Sequence, residues 1–217
     1  MKQLLASVVV LAATAFALPA CGNHSLVAHK PESAVVNHDI TVMWTRDIKR
    51  TARTGDWILT RSYSFTGDVI AGATQGESLS HASVYDARTG TIIEALRPHV
   101  REVPLASLLD RNQLAIVIHP SGMTEEQRIA AVERARSKVG SDFDLGGLVG
   151  FDDPDKFYCS ELVYWSSGLS RDDRPIVISP AKLMDYGAVV YWSGKREDAQ
   201  VQAAARAQAE AQLIARR

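Results

Sequence analysis

Between positions 57 and 120 apolar residues fall in short runs at strand spacing, divided by turn residues. Gly55-Asp56 is a turn that leads into the strand Trp57-Ile58-Leu59-Thr60-Arg61. Residues 62–79 are rich in Gly and Ser and read as a loop. Ser80-His81-Ala82-Ser83-Val84-Tyr85-Asp86 predicts the next strand and Thr91 to Leu96 another. Ala87-Arg88-Thr89-Gly90 forms the hairpin turn between them, with Gly supplying a positive φ. Val100 to Leu105 and Leu114 to His119 add two more strands, the second a continuous apolar run suited to a sheet interior.

The period then lengthens to that of a helix. Thr124 and Gln127 form a capping box, Ile129, Val132, Arg136 and Val139 follow one face, and Gly140 marks the stop. A loop rich in Asp and Gly, residues 141–156, precedes a second helix over 158–168. Pro180 to Tyr186 predicts a short helix and Val189 to Trp192 a final strand. Residues 22–45 show no sustained period and read as a tether, leading into a short helix that ends near Arg53-Thr54-Gly55. From Lys195 onward helix formers carry only a weak apolar stripe, which predicts a solvated or partner-seeking helix outside the core. This order of elements predicts an α+β fold: an antiparallel sheet of about five to six strands with helices on one side.

The first residues change the compartment. Lys2 precedes an almost unbroken apolar run from Leu4 to Leu18, closed by Leu18-Pro19-Ala20-Cys21. That is the layout of a secretory signal peptide, too short and wrongly flanked to span a membrane. Its end resembles the bacterial lipobox, which implies cleavage after residue 20, acylation of Cys21 and anchoring to the membrane facing the periplasm. Gly22 rather than Asp after the Cys favours the outer membrane by the same resemblance. The chain divides accordingly into a signal peptide (1–20), a lipidated N-terminus and tether (21–45), one domain (46–194) and a tail (195–217). With 24 basic and 25 acidic residues the net charge is −1, and loss of Lys2 leaves the mature chain near −2. Nothing in that balance points to nucleic acid or to attraction by an anionic surface.

Of two cysteines the lipobox takes one, which leaves Cys159 alone in the mature chain and marks it as a candidate reactive thiol. Leu162, Trp165 and Leu169 at helical spacing put Cys159 in the first turn of its helix, where unpaired backbone N–H groups and the dipole favour thiolate. The same N–H groups can hold an oxyanion. Taken alone, the residue equally fits a small buried hydrophobe. Of the His residues beyond Cys21, His24, His29 and His38 lie in the tether, and His99 and His119 sit beside prolines. His81 opens a core strand, so it is the base candidate, although a strand His by itself is more often structural. Glu94 sits between Ile93 and Ala95, where an acid is expensive to bury without a partner. A hairpin centred on residues 88 and 89 brings it opposite Ser83, within two residues of His81, and an edge-strand Glu facing water fits the pattern as well.

Gly55-Asp56, Ser80-His81, Ile93-Glu94-Ala95 and Tyr158-Cys159-Ser160-Glu161-Leu162, in that order, resemble the circularly permuted papain-like branch of the NlpC superfamily, the YiiX-type hydrolases. The resemblance covers roughly residues 50–193, and Ile178-Ser179-Pro180 with Leu183 matches its downstream segment. It implies a permuted papain-like fold, with Cys159 as nucleophile at a helix N-terminus, His81 as base and Glu94 as its orienting carboxylate. Tyr158, Ser160 and Asp56, from the same motifs, are expected to support the substrate and oxyanion. The implied activity is cysteine hydrolysis of an amide or ester acyl bond in the cell envelope, on a peptidoglycan-type peptide or a lipid, without a cofactor. Two other readings stay open: acyl transfer as in lecithin–retinol acyltransferases, and a non-catalytic lipoprotein that binds glycan or lipid. The acidic stretch Asp142, Asp144, Asp152, Asp153 and Asp155 lacks EF-hand spacing and reads as a solvated loop, and no zinc-ligand spacing occurs.

Overall fold

Strands β1 (Trp57–Ser62), β2 (His81–Asp86), β3 (Thr91–Leu96), β4 (His99–Pro104), β5 (Asn112–Pro120) and β6 (Gly187–Trp192) make one antiparallel sheet in the order β4-β3-β2-β1-β5-β6. The computed structural model describes residues 33–63, 79–151, 153–169 and 176–216. The signal segment, Cys21, Asp152 and most of the Gly- and Ser-rich loop lie outside the described residues, so the expectations for them are not addressed by it. The β2–β3 register, Val84 to Ile93, is that of the hairpin read from the sequence, and Gly90 in its turn has φ +71°.

Helices cover both faces of the sheet, not one as expected. On the first face α3 (Glu125–Arg136) and α4 (Cys159–Ser166) bury Val132, Ala135, Leu162 and Val163 against Trp57, Leu59, Ala82, Val84, Ile93 and Ile116. On the second, α1 (Ala34–Thr51) and α2 (Leu105–Asp110) bury Ile40, Trp44, Ile48, Leu105, Leu108 and Leu109 against Ile58, Tyr85, Ile92 and Val117. Alternate residues of β1 therefore point into different cores, which is why its run Trp57 to Leu59 is apolar without alternation.

Two boundaries drawn from the sequence are corrected. The described part of the stretch assigned to the tether, residues 33–45, is α1 from Ala34 onward, capped by the Ser33 hydroxyl accepting from the Val36 N–H at 3.3 Å. Its stripe of Val36, Ile40, Met43, Trp44 and Ile48 is interrupted by Asn37 and Thr41, polar yet also buried, which disguised the period. The chain after Lys195 is likewise part of the fold. Arg196 has no exposed surface, and the following helix α5 (Ala199–Ala215) seats Ala205 against α1. The Arg196 guanidinium donates to the carbonyls of Asn37 (2.8 Å), Leu109 (2.7 Å) and Asn112 (3.2 Å) and to the Thr41 hydroxyl (3.2 Å). Its Cζ lies 4.6 Å from the Trp44 ring centroid. One side chain thus joins α1, α2 and β5. The α2 helix itself falls where a strand end was expected, because Leu105, Leu108 and Leu109 share a helical face.

Arg196→Ala removes hydrogen bonds from a charged donor to three buried carbonyls, at about 1.5 to 3 kcal/mol each, although the Asn37 and Leu109 carbonyls keep a second donor in the Thr41 hydroxyl and the Arg111 N–H. The variant, and equally a deletion of residues 196–217, should lose at least about 3 kcal/mol in urea unfolding. A denaturation midpoint equal to that of the parent would restore the picture of an external tail.

Candidate active site

The helix carrying Cys159 is fastened at both ends. At its C-terminal end the Trp57 Nε1–H donates to the Ser167 hydroxyl (3.0 Å) and Arg134 Nε donates to the Ser166 carbonyl. At its N-terminal end the Ile178 N–H donates to the Tyr158 hydroxyl (3.0 Å), and the Ser160 hydroxyl donates to the Ile178 carbonyl (2.7 Å). Glu161 closes the first turn by accepting from the Tyr158 N–H. The first-turn N–H groups of Cys159 and Ser160 have no intrahelical carbonyl to reach, as in any α-helix.

The start of β2 is fixed as firmly. The Ser80 N–H donates to the Thr60 carbonyl (2.9 Å), and the Ser80 hydroxyl accepts from the Ser62 N–H (2.9 Å). Beyond this point β2 and β3 separate: their pairing runs from Asp86–Thr91 to Val84–Ile93, although the strands continue to His81 and Leu96. Tyr85 N–H donates to Asp56 on the β1 side, so alternation turns the Ala82 N–H toward β3. With the ladder open there, that amide bonds the Cys159 sulfur.

This opening resolves a question of faces. Ala82 and Val84 lie in the core beneath α4, whereas Tyr85 and Ile92 lie in the core beneath α1 and α2. His81 and Glu94 share the parity of the second pair, and Cys159 comes from the first side. Thiol and imidazole meet at the end of β2 where its pairing with β3 has stopped.

His81 Nε2 lies 2.6 Å from Glu94 Oε2, and the ring also hydrogen-bonds Cys159, which leaves Nδ1 for the sulfur. All three side chains are buried. Burial disfavours charge on the thiol and on the imidazole alike. Their mutual hydrogen bond and attraction, joined at His81 by the hydrogen bond and charge of Glu94, outweigh it, holding Cys159 below its ordinary value and raising His81 to about 9. Burial also pushes the Glu94 carboxyl up, but the His81 contact and the nearby arginines bring it down to about 2. A thiol, imidazole and carboxylate in hydrogen-bonded series beside free helix N–H groups can form a thiolate, attack an acyl carbon and hold the resulting oxyanion.

The remaining expected residues are elsewhere or otherwise engaged. Asp56 is a correction. It precedes β1 at the end opposite His81, whose partner Thr60 lies four residues on, about 13 Å along a strand. There it accepts from the Arg53 N–H (2.8 Å) and pairs with His119 Nδ1 (2.8 Å), and burial raises its pKa. The Tyr158 and Ser160 hydroxyls both bond Ile178, and the Ser160 side chain also hydrogen-bonds the Cys159 thiol. Asp144 is buried rather than solvated: its carboxylate accepts from the N–H groups of Gly147 (2.8 Å) and Asp153 (3.3 Å) and closes the acidic loop on itself. Arg101 and Arg111, which no sequence motif singles out, both donate to Glu94. Arg101 was legible in principle, since a β3–β4 hairpin turning at Arg97-Pro98 pairs it with Glu94.

A His-bearing strand that precedes the Cys-bearing helix in the chain, with both meeting at one end of an antiparallel sheet, defines a permuted papain-like protein. The chain belongs to the family described as permuted papain-like amidase enzyme, YaeF/YiiX, C92 family, whose model matches residues 51–168. Among solved structures it is similar to the "metalloprotein yiiX from Escherichia coli O157:H7, DUF1105", with 20% identity and a TM-score of 0.53 over 67% of this chain and 98% of that one. That likeness shows the fold alone. No curated protein matches the chain.

Cys159 should alkylate with iodoacetamide at a midpoint below that of an ordinary thiol, and His81→Ala should return the midpoint to the ordinary range. An ordinary midpoint in the parent would contradict the site. Stability gives a second check. Because Glu94 is depressed to about 2 from 4.5, its contribution is present above 4.5 and is lost as pH falls toward 2. Glu94→Gln should flatten that part of the stability–pH curve, measured by urea unfolding.

Proposed function

We propose that this protein is a cell-envelope cysteine amidase that cleaves an amide or ester acyl bond through a Cys159-His81-Glu94 mechanism. The single observation that carries the reading is the buried hydrogen-bonded series from the Cys159 thiol through His81 to Glu94. Family membership supplies the amidase class.

In the first half-reaction the Cys159 thiolate forms a bond to the acyl carbon. The oxyanion lies toward the N–H groups of Cys159 and Ser160, the bond to the leaving amine or alkoxide breaks, and the proton on His81 passes to that group. In the second, His81 takes a proton from water as its oxygen attacks the thioester, and the sulfur leaves as thiolate. Glu94 fixes the ring throughout and balances its cationic form. Retention of all three groups in one bonded series weighs against a non-catalytic lipoprotein.

The substrate is an envelope acyl compound, a peptidoglycan peptide or a lipid, and Cys21 is a membrane anchor carrying the protein at the periplasmic face. The solved neighbour is described as a metalloprotein. In this chain no group of three or more His, Cys, Asp or Glu among the described residues is placed to hold a metal ion, and no step here uses one. A second reading, acyl transfer to an acceptor other than water, is favoured by the exposed Leu145, Val149 and Phe151, at 52%, 72% and 77%, on the segment leading to the Cys159 helix.

The test is mass spectrometry of the protein after incubation with an electrophilic amide, together with turnover of acyl substrates by Cys159→Ala. We expect an acyl adduct on Cys159 and a loss of several orders of magnitude in rate with the thermal midpoint nearly unchanged. A Cys159→Ala protein that melts far lower yet keeps its turnover would make Cys159 a core residue only.

A further inference from the structure

Glu94 accepts more than an orienting carboxylate needs. With no solvent exposure it receives His81 Nε2 at 2.6 Å, Arg101 Nε at 2.9 Å and Arg111 Nη2. The two arginines come from different elements. Arg101 lies directly across from Glu94 on edge strand β4, and Arg111 follows α2, where its Nη1 also reaches the Ser107 carbonyl (3.3 Å). Their side chains are 35% and 30% exposed, so each guanidinium reaches from the protein surface to a buried acid.

We propose that Arg101 and Arg111 are positioning residues that keep Glu94 ionised whatever the protonation state of His81, and that their charge favours the thiolate of Cys159. The inference rests on the reading of Cys159, His81 and Glu94 given above. The physical reason is a problem that the mechanism creates. Each time His81 gives its proton to a leaving group, its positive charge disappears. A buried carboxylate whose only partner was that ring would then stand unpaired and draw a proton itself, losing its grip on the ring's correct tautomer. Two permanent cations remove that difficulty, because guanidinium does not titrate in the working range.

They also set the charge of the whole cluster. The groups facing one another are Glu94 on β3, Arg101 on β4, Arg111 between α2 and β5, His81 on β2 and Cys159 on α4, with the neutral Ser160 hydroxyl and Ala82 N–H beside the sulfur. In the thiolate–imidazolium state that is three cations against two anions, a net +1. Without the arginines it is one cation against two anions, and the thiolate loses favour.

The readout is the ultraviolet absorbance of the Cys159 thiolate against pH, with Cys159→Ser of each protein as the blank. Arg111→Met and Arg101→Met should each move the thiolate midpoint upward by roughly half a unit to one unit. Arg111→Lys and Arg101→Lys, which keep the charge, should move it by much less. A merely structural role would lower activity and melting temperature without moving the midpoint. Circular dichroism checks that each variant is folded. Arg101 sits on an edge strand, so its Met and Lys pair decides the matter if Arg111→Met does not fold. Midpoints in the Met variants equal to the parent's depressed value would overturn the arginine role alone. A parent midpoint in the ordinary thiol range would instead overturn the nucleophile reading on which it rests.

Discussion

Glu94 carries its charge with no contact with water, and the surrounding architecture answers to that condition. A lone carboxylate at such a depth takes up a proton rather than remain charged. Here β4 brings Arg101 across the hairpin, α2 ends where Arg111 can turn inward, and β2 opens with His81. The separation of β2 from β3 then exposes the Ala82 amide and admits the Cys159 sulfur to the other side of the imidazole. Buried charge, open ladder and helix N-terminus form one connected arrangement, with Glu94 at its centre.

The strands around this arrangement were legible because each is a short apolar run bounded by turn residues. The hairpin register was legible too, since Ala87 to Gly90 admits a turn that sets Glu94 near His81. The motif around Cys159 carried the permuted order of the family, and the family match agrees with it. What the sequence hid were contacts whose meaning depends on a distant partner. Arg111 reads as an ordinary surface residue unless α2 is recognised as a helix, and α2 is six residues long. The Ala82 amide leaves no trace in the sequence, because only the place where a ladder stops makes a backbone group available. Asp56 misled for the opposite reason: Gly55-Asp56 marks the chain's entry into the sheet, and the antiparallel register carries it away from His81.

The two-sided core has the same origin. Apolar residues at consecutive positions of β1 and β5 mean burial on both faces. That condition demands a second helical layer, and α1 supplies it with buried Asn37 and Thr41 set into its stripe. These polar positions blur the helical period, yet they are where Arg196 enters from the far end of the chain. A segment that looks solvated by composition is thus held by a buried cation and by Ala205 seated against α1. The second layer matters to the site as well, since α2 belongs to it and Arg111 follows α2 directly.

The most direct measurement is nitrogen NMR of the His81 ring in protein labelled at histidine, followed across pH. Both ring nitrogens should stay protonated through neutral pH, with the proton lost only near 9, and Cys159→Ala should lower this value. A His81 ring that is neutral at pH 7, titrates at its ordinary value and ignores the loss of Cys159 would contradict the claim that thiol, imidazole and carboxylate act as one bonded unit.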